Sequence, residues 1–122
     1  MREIKFRAYL WTDRHTNDGM IYSDEMGMIE FWKNYLHYQG KKKLMQYTGL
    51  KDKNGREIYE GDIVKGAGKN PIIYIVEWLD SYGGFAFVDK EKAIPAYEFL
   101  VNFCEVIGNI YENPELLKEV EK

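Results

Sequence analysis

Apolar and polar residues alternate from Ile4 to Trp11, with Ile4, Phe6, Ala8 and Leu10 on one face and Lys5, Arg7, Tyr9 and Trp11 on the other. A period of two is that of a half-buried strand, and it predicts the first element. Residues 12–19 then gather Thr, Asp, Asn and Gly. Such residues bond their own backbone or accept left-handed geometry, so the chain is expected to turn there and return through Met20, Ile21 and Tyr22 as a second strand. Residues 30–38 fit two templates: Phe31, Tyr35 and Tyr38 make a helical stripe, whereas Phe31-Trp32 and Tyr35-Leu36 suit a bent strand. Gly40 followed by Lys41-Lys42-Lys43 predicts a solvated break after an N-terminal strand region, 1–40.

From Leu44 the pattern sharpens. Residues 44–50 read as a strand, and Asp52-Lys53-Asn54-Gly55 reads as a turn in which Gly55 takes positive φ before Glu57-Ile58-Tyr59 resumes extended structure. Short apolar runs follow at 61–65, 72–79, 84–88 and 105–110, separated by turn-forming residues at 66–70, 80–83 and 89–92. Closely spaced short strands predict a small barrel or sandwich. Residues 94–103 interrupt the series as a helical turn or an irregular crossover. At the end, Asn113 suits a cap and Pro114 a first helical position, predicting a short helix over 113–121.

Composition strengthens the β reading. The 122 residues include 10 Tyr, 6 Phe and 3 Trp, side chains that favour strands and, for Tyr, half-buried faces and interfaces. A net charge of −3 gives little general attraction to phosphate backbones, so any nucleic-acid site has to be a local patch. The single Cys104 excludes an internal disulfide, and a cytoplasmic location is expected. No apolar run approaches the roughly 20 residues of a membrane helix, and the opening Met1-Arg2-Glu3-Ile4-Lys5 lacks the apolar stretch of a signal peptide.

Candidate chemistry is sparse. His15 lies in a polar turn with Asp13 and Asp18, and His37 has no second ligand at helical or strand spacing, so no metal site is expected. Cys104, between Phe103 and Val106, reads as a buried and inert thiol. Asp52-Lys53-Asn54-Gly55 mimics part of a calcium loop without its other ligands. Gly66-Ala67-Gly68-Lys69 mimics a phosphate loop, with Asn70 in place of the Ser or Thr and Ile63 where the first Gly belongs. Glu77, beside Trp78, reads as a strand residue facing solvent. The stretch around Trp32, Tyr35 and Tyr38, with Lys41, Lys42 and Lys43, has the aromatic and basic elements of a single-strand nucleic-acid binder, although a three-lysine run more commonly belongs to a solvated loop.

The run Leu44-Met45-Gln46-Tyr47-Thr48-Gly49-Leu50-Lys51-Asp52-Lys53-Asn54-Gly55-Arg56-Glu57-Ile58-Tyr59-Glu60-Gly61-Asp62-Ile63-Val64 closely resembles the signature of the YopX family of small bacteriophage and prophage proteins. Three further pieces stand in the family's order: Ile4-Lys5-Phe6-Arg7-Ala8, Val76-Glu77-Trp78, and Glu105-Val106-Ile107-Gly108-Asn109-Ile110-Tyr111-Glu112-Asn113-Pro114. The resemblance implies a mostly β fold whose later strands form a small SH3-like barrel, and an origin in a phage or prophage genome. It implies no activity and brings no catalytic or binding residues with it.

Physically, Gly49, Gly55 and Gly61 recur at six-residue intervals around a hairpin, as positions of positive φ or close backbone approach. Asp62 is expected to accept backbone N–H groups in its turn, with Ile63 and Val64 entering the core. A functional reading of the same segment places Gln46, Tyr47, Thr48, Lys51 and Arg56 along an exposed groove. Taken together, the sequence predicts one mainly β domain over 1–122, with an SH3-like barrel at 44–112. No catalytic residue, metal or cofactor is expected. The expected role is a phage accessory module in the host cytoplasm that binds a protein or its own copies, with nucleic acid as the alternative partner, an enzyme of unknown type as the third reading, and no membrane association.

Overall fold

A computed structural model of the chain describes residues 3–14, 18–96 and 102–117. The chain is mainly β, with two antiparallel sheets, and divides into two compact units, Met1–Tyr47 and Thr48–Lys122.

In the first unit, strand β1 (Phe6–Trp11) lies between β2 (Gly19–Tyr22) and the opening residues of β3 (Lys41–Lys51), antiparallel to both. Ala8 faces Ile21 on one side and Leu44 on the other. The alternation seen in the sequence is realised, but both faces are partly covered, since Arg7 is buried as well as Ala8. Two helices, α1 (Ser23–Met26) and α2 (Met28–His37), follow β2. The ambiguous stretch at 30–38 is therefore helical over most of its length. The helix turns Phe31 fully inward, with the Trp32 ring edge-on to it at 5.3 Å and the Tyr35 ring stacked at 6.4 Å. Trp32 also meets Phe6 of β1 at 5.5 Å.

The lysine run is not a solvated break. Lys41, Lys42 and Lys43 open β3 and sit opposite Trp11, Leu10 and Tyr9. The Lys42 ammonium donates to the carbonyls of Tyr35 at 2.7 Å and Leu36 at 3.4 Å, satisfying the open acceptors where a helix ends and complementing the negative end of its dipole. Gly40 makes the connection possible. A Cβ there would stand 2.5 Å from the Trp11 carbonyl oxygen and 2.6 Å from the Tyr38 ring.

In the second unit, β4 (Glu57–Tyr59) forms a hairpin with the last residues of β3. Next come β5 (Asp62–Lys65), β6 (Ile73–Leu79), β7 (Gly84–Val88), β8 (Ala93–Pro95) and β9 (Glu105–Asn109). These five make an antiparallel sheet in the order β8-β7-β6-β5-β9. Strand β9 thus returns from far along the chain to the open side of β5. Ile58, Val64, Tyr74, Val76, Phe87, Cys104 and Val106 form its core, with Leu50, Ile94 and Ala96 packed against it. Each fully buried aliphatic side chain there contributes about 1.5–3 kcal/mol. As expected, Gly49, Gly55 and Gly61 all take positive φ, at 87°, 81° and 84°.

Of the C-terminal helix expected over 113–121, the described residues show one 3₁₀ turn at Pro114–Leu116, while residues 118–121 lie outside the described residues. The Asn113 side chain does not cap a helix; its Oδ1 instead accepts the Asn109 N–H at 3.1 Å. Of the interruption at 94–103, Ile94 and Pro95 belong to β8, and residues 97–101 lie outside the described residues.

Gly40→Ala is expected to destabilise the chain by about 1–3 kcal/mol, because the new methyl has backbone on one side and a ring on the other. Gly19→Ala, where a Cβ meets nothing within 4 Å, is expected to be close to neutral. Urea titration of the two variants checks the contrast.

Candidate functional site

The most specific polar construction lies in the second unit, at the hairpin between β3 and β4. Asp52 is only 5% exposed. Its Oδ1 accepts the N–H groups of Asn54 and Arg56, each at 2.9 Å, and its Oδ2 accepts that of Val106 at 2.8 Å. A buried carboxylate is tolerated when backbone donors converge on it in this way. The junction is reinforced by Lys53 N–H donating to the Cys104 carbonyl at 3.1 Å and by the Arg56 guanidinium donating to the Val106 carbonyl at 3.0 Å. Both backbone polar groups of Val106 are thereby engaged from the hairpin, which blunts an edge strand.

Asp62 works in the same manner over a shorter span, accepting the Tyr59 N–H at 2.8 Å across a tight turn. Gly61, in that turn, donates to Val76 and accepts from Ile110. Asn109 closes the far end: its Oδ1 accepts from Tyr111 and Glu112, and its Nδ2 donates to the Glu112 carboxylate at 2.8 Å. Cys104, buried next to this junction, has its thiol pushed up to about 11, first by burial and then by the Asp52 charge. It is protonated and a poor nucleophile at neutral pH.

The residues proposed for a partner groove have different fates. Tyr47 is buried in the first unit, where the Lys5 ammonium lies 5.0 Å from its ring centroid, and Gln46, half-buried, faces Phe6 across β1. Thr48 is buried in the second unit; its hydroxyl donates to the Ile58 carbonyl at 2.7 Å and accepts from Leu50 N–H at 3.1 Å. Lys51 and Arg56 are exposed, although Arg56 is held by Val106 as described.

The aromatic and basic stretch lies within the first unit. Trp32 and Tyr35 are half-buried against each other and Phe31, and Tyr38 is half-buried beyond the helix. Lys42 is committed to the end of α2, its ammonium also 4.9 Å from the Tyr35 ring centroid, and Lys41 pairs with Asp13 at 2.9 Å. Lys43 is exposed. On the side of α2 opposite Phe31, Ile29 is 75% exposed and Leu36 65% exposed. Seven residues apart, they lie two turns from one another on one stripe.

His15 lies outside the described residues, Asp18 accepts the Thr12 N–H at 3.2 Å, and His37 ends α2. Among the described residues no group of three or more His, Cys, Asp or Glu is placed to hold a metal ion, and no helix is long and apolar enough to cross a membrane. The phosphate-loop mimic joins β5 to β6, without the helix start that such a loop needs. Glu77 is exposed on β6.

Sequence reasoning missed the role of Asp52 beyond its own turn, and also the outer stripe of α2. The Ile29 and Leu36 spacing was available as a signal, but only once the helix is chosen over the strand.

A family model described as YopX protein matches residues 5–118. The crystal structure of protein EF1440 from Enterococcus faecalis is similar at a TM-score of 0.58 and 24% identity, over 96% of this chain and 99% of that one. At that identity the likeness concerns the fold. No curated protein matches.

Asp52→Asn keeps the shape but turns one acceptor into a donor, leaving a backbone N–H without its partner. It is expected to lose about 1–3 kcal/mol in urea denaturation. A second expectation concerns alkali. The folded-state thiol at about 11 stands above its ordinary value of 9.0, so its contribution is complete below the unfolded value and is lost as pH rises through the folded one. Between those limits Cys104→Ala is expected to show a shallower fall of stability with pH than the parent, measured by denaturation at stepped pH.

Proposed function

Because the chain belongs to the YopX family, whose model matches nearly its whole length, we propose that it is a non-catalytic binding module whose partners are protein surfaces, its own copies among them. The observation that carries this reading is the outer face of α2, where Ile29 and Leu36 are left in solvent although the same helix buries Phe31 completely on its other side. A helix apolar on two sides has one side more than its own unit needs. The polar groups of the signature support the absence of catalysis. Asp52, Asp62, Thr48 and Asn109 are committed to backbone donors and acceptors.

In this reading the five-stranded sheet of the second unit serves as an SH3-like small barrel, a scaffold with a filled core. The resemblance of the signature supports a phage or prophage origin and action in the cytoplasm of the bacterial host. Nucleic-acid binding through Trp32, Tyr35, Tyr38 and Lys41, Lys42 and Lys43 is the weaker reading, since Lys42 and Lys41 already serve the helix end and Asp13.

At micromolar concentration the chain is expected to sediment as more than one copy, and a single-chain species at every concentration would count against self-association. In fluorescence anisotropy at low salt, single-stranded DNA is expected to show no binding; salt-sensitive binding that weakens on Lys43→Ala would instead favour the nucleic-acid reading.

A further inference from the structure

Resting on the self-association reading, we propose that the outer face of α2 pairs with the same face of a second copy, the two helices running antiparallel about a two-fold axis. The helix is self-complementary in both shape and charge. An axis passing between Trp32 and Lys33 sets Ile29 of each copy against Leu36 of the other, so both exposed aliphatic side chains are covered by one operation. Trp32, half-buried on its own unit, borders the stripe and supplies aromatic area near the centre, where interfaces concentrate their affinity.

Charge fixes the direction. Glu30 and Lys33 lie on the same flank of the stripe, both exposed, and neither has an ion-pair partner among the described residues. In an antiparallel pair the same flanks meet, so Glu30 of one copy faces Lys33 of the other, twice over. A parallel arrangement sets each flank against the opposite one and loses both pairs. The acidic start of the helix region, with Asp24 and Glu25 in α1 and Glu30 in α2, then approaches the end that carries His37. That is the sense in which helix dipoles also attract.

The test is sedimentation equilibrium on the full chain, with circular dichroism as the check that each variant is folded. Leu36→Lys and Ile29→Lys change exposed positions and are expected to raise the dimer dissociation constant by roughly tenfold or more. Glu30→Lys and Lys33→Glu are each expected to weaken the dimer, and an equimolar mixture of the two single variants to restore much of the pairing, which the like-charge pair that each variant carries on its own helix would not do. A folded wild-type chain that stays monomeric overturns this inference and the self-association reading together. A dimer indifferent to Leu36→Lys and Ile29→Lys overturns the pairing alone and leaves self-association through another surface.

Discussion

The second unit depends on one buried carboxylate. Asp52 sits at the tip of a hairpin, yet one of its three backbone donors lies 54 residues away at Val106. Removing such a group from water is unfavourable unless donors replace the lost hydration, and here backbone N–H groups from two segments do so at 2.8–2.9 Å. The hairpin and the last strand are thereby joined at a defined register. The Lys53 and Arg56 donors to Cys104 and Val106 add directional bonds at the same junction, so the edge of the sheet is closed by the chain's own turn.

This division of labour separates the two units. In the second, the side chains with the greatest chemical potential are partners of the backbone, and the core around Val64, Val76 and Phe87 is filled by their neighbours. In the first, aromatic packing dominates. Phe31, Trp32 and Tyr35 form one cluster on α2, and the helix is held at its end by a lysine from the following strand. The apolar residues left outside are therefore not a failure of burial. They stand on a helix whose inner side is already saturated.

Legibility in the sequence follows the range of the interactions. The alternation from Phe6 to Trp11, the glycines at 55 and 61 and the cap at Asp62 act within a few residues of themselves and could be read directly. Asp52 could be recognised as a turn residue but not as a long-range anchor, since nothing local marks Val106 as its partner. Lys42 looked like part of a solvated run because its acceptors become open only where a helix ends, and the helix itself was ambiguous. Ser23-Asp24-Glu25-Met26 is too short to carry a period. Tyr47 and Thr48 could not be told apart from exposed polar strand residues, because a tyrosine or threonine in a strand suits either face. The outer stripe of α2 escaped notice for the same reason as Lys42.

The seating of β9 beside β5 bears on how the chain is made. When the ribosome has delivered the hairpin and β5 to β8, the carboxylate at position 52 and the open side of β5 still await residues 104–109. Until those emerge, the nascent second unit exposes an unpaired strand next to an ungathered anion, a form that proteases and chaperones recognise more readily than the finished sheet. Completion of this unit is therefore tied to the arrival of its last strand, and a ribosome stalled before that point holds an unfinished product.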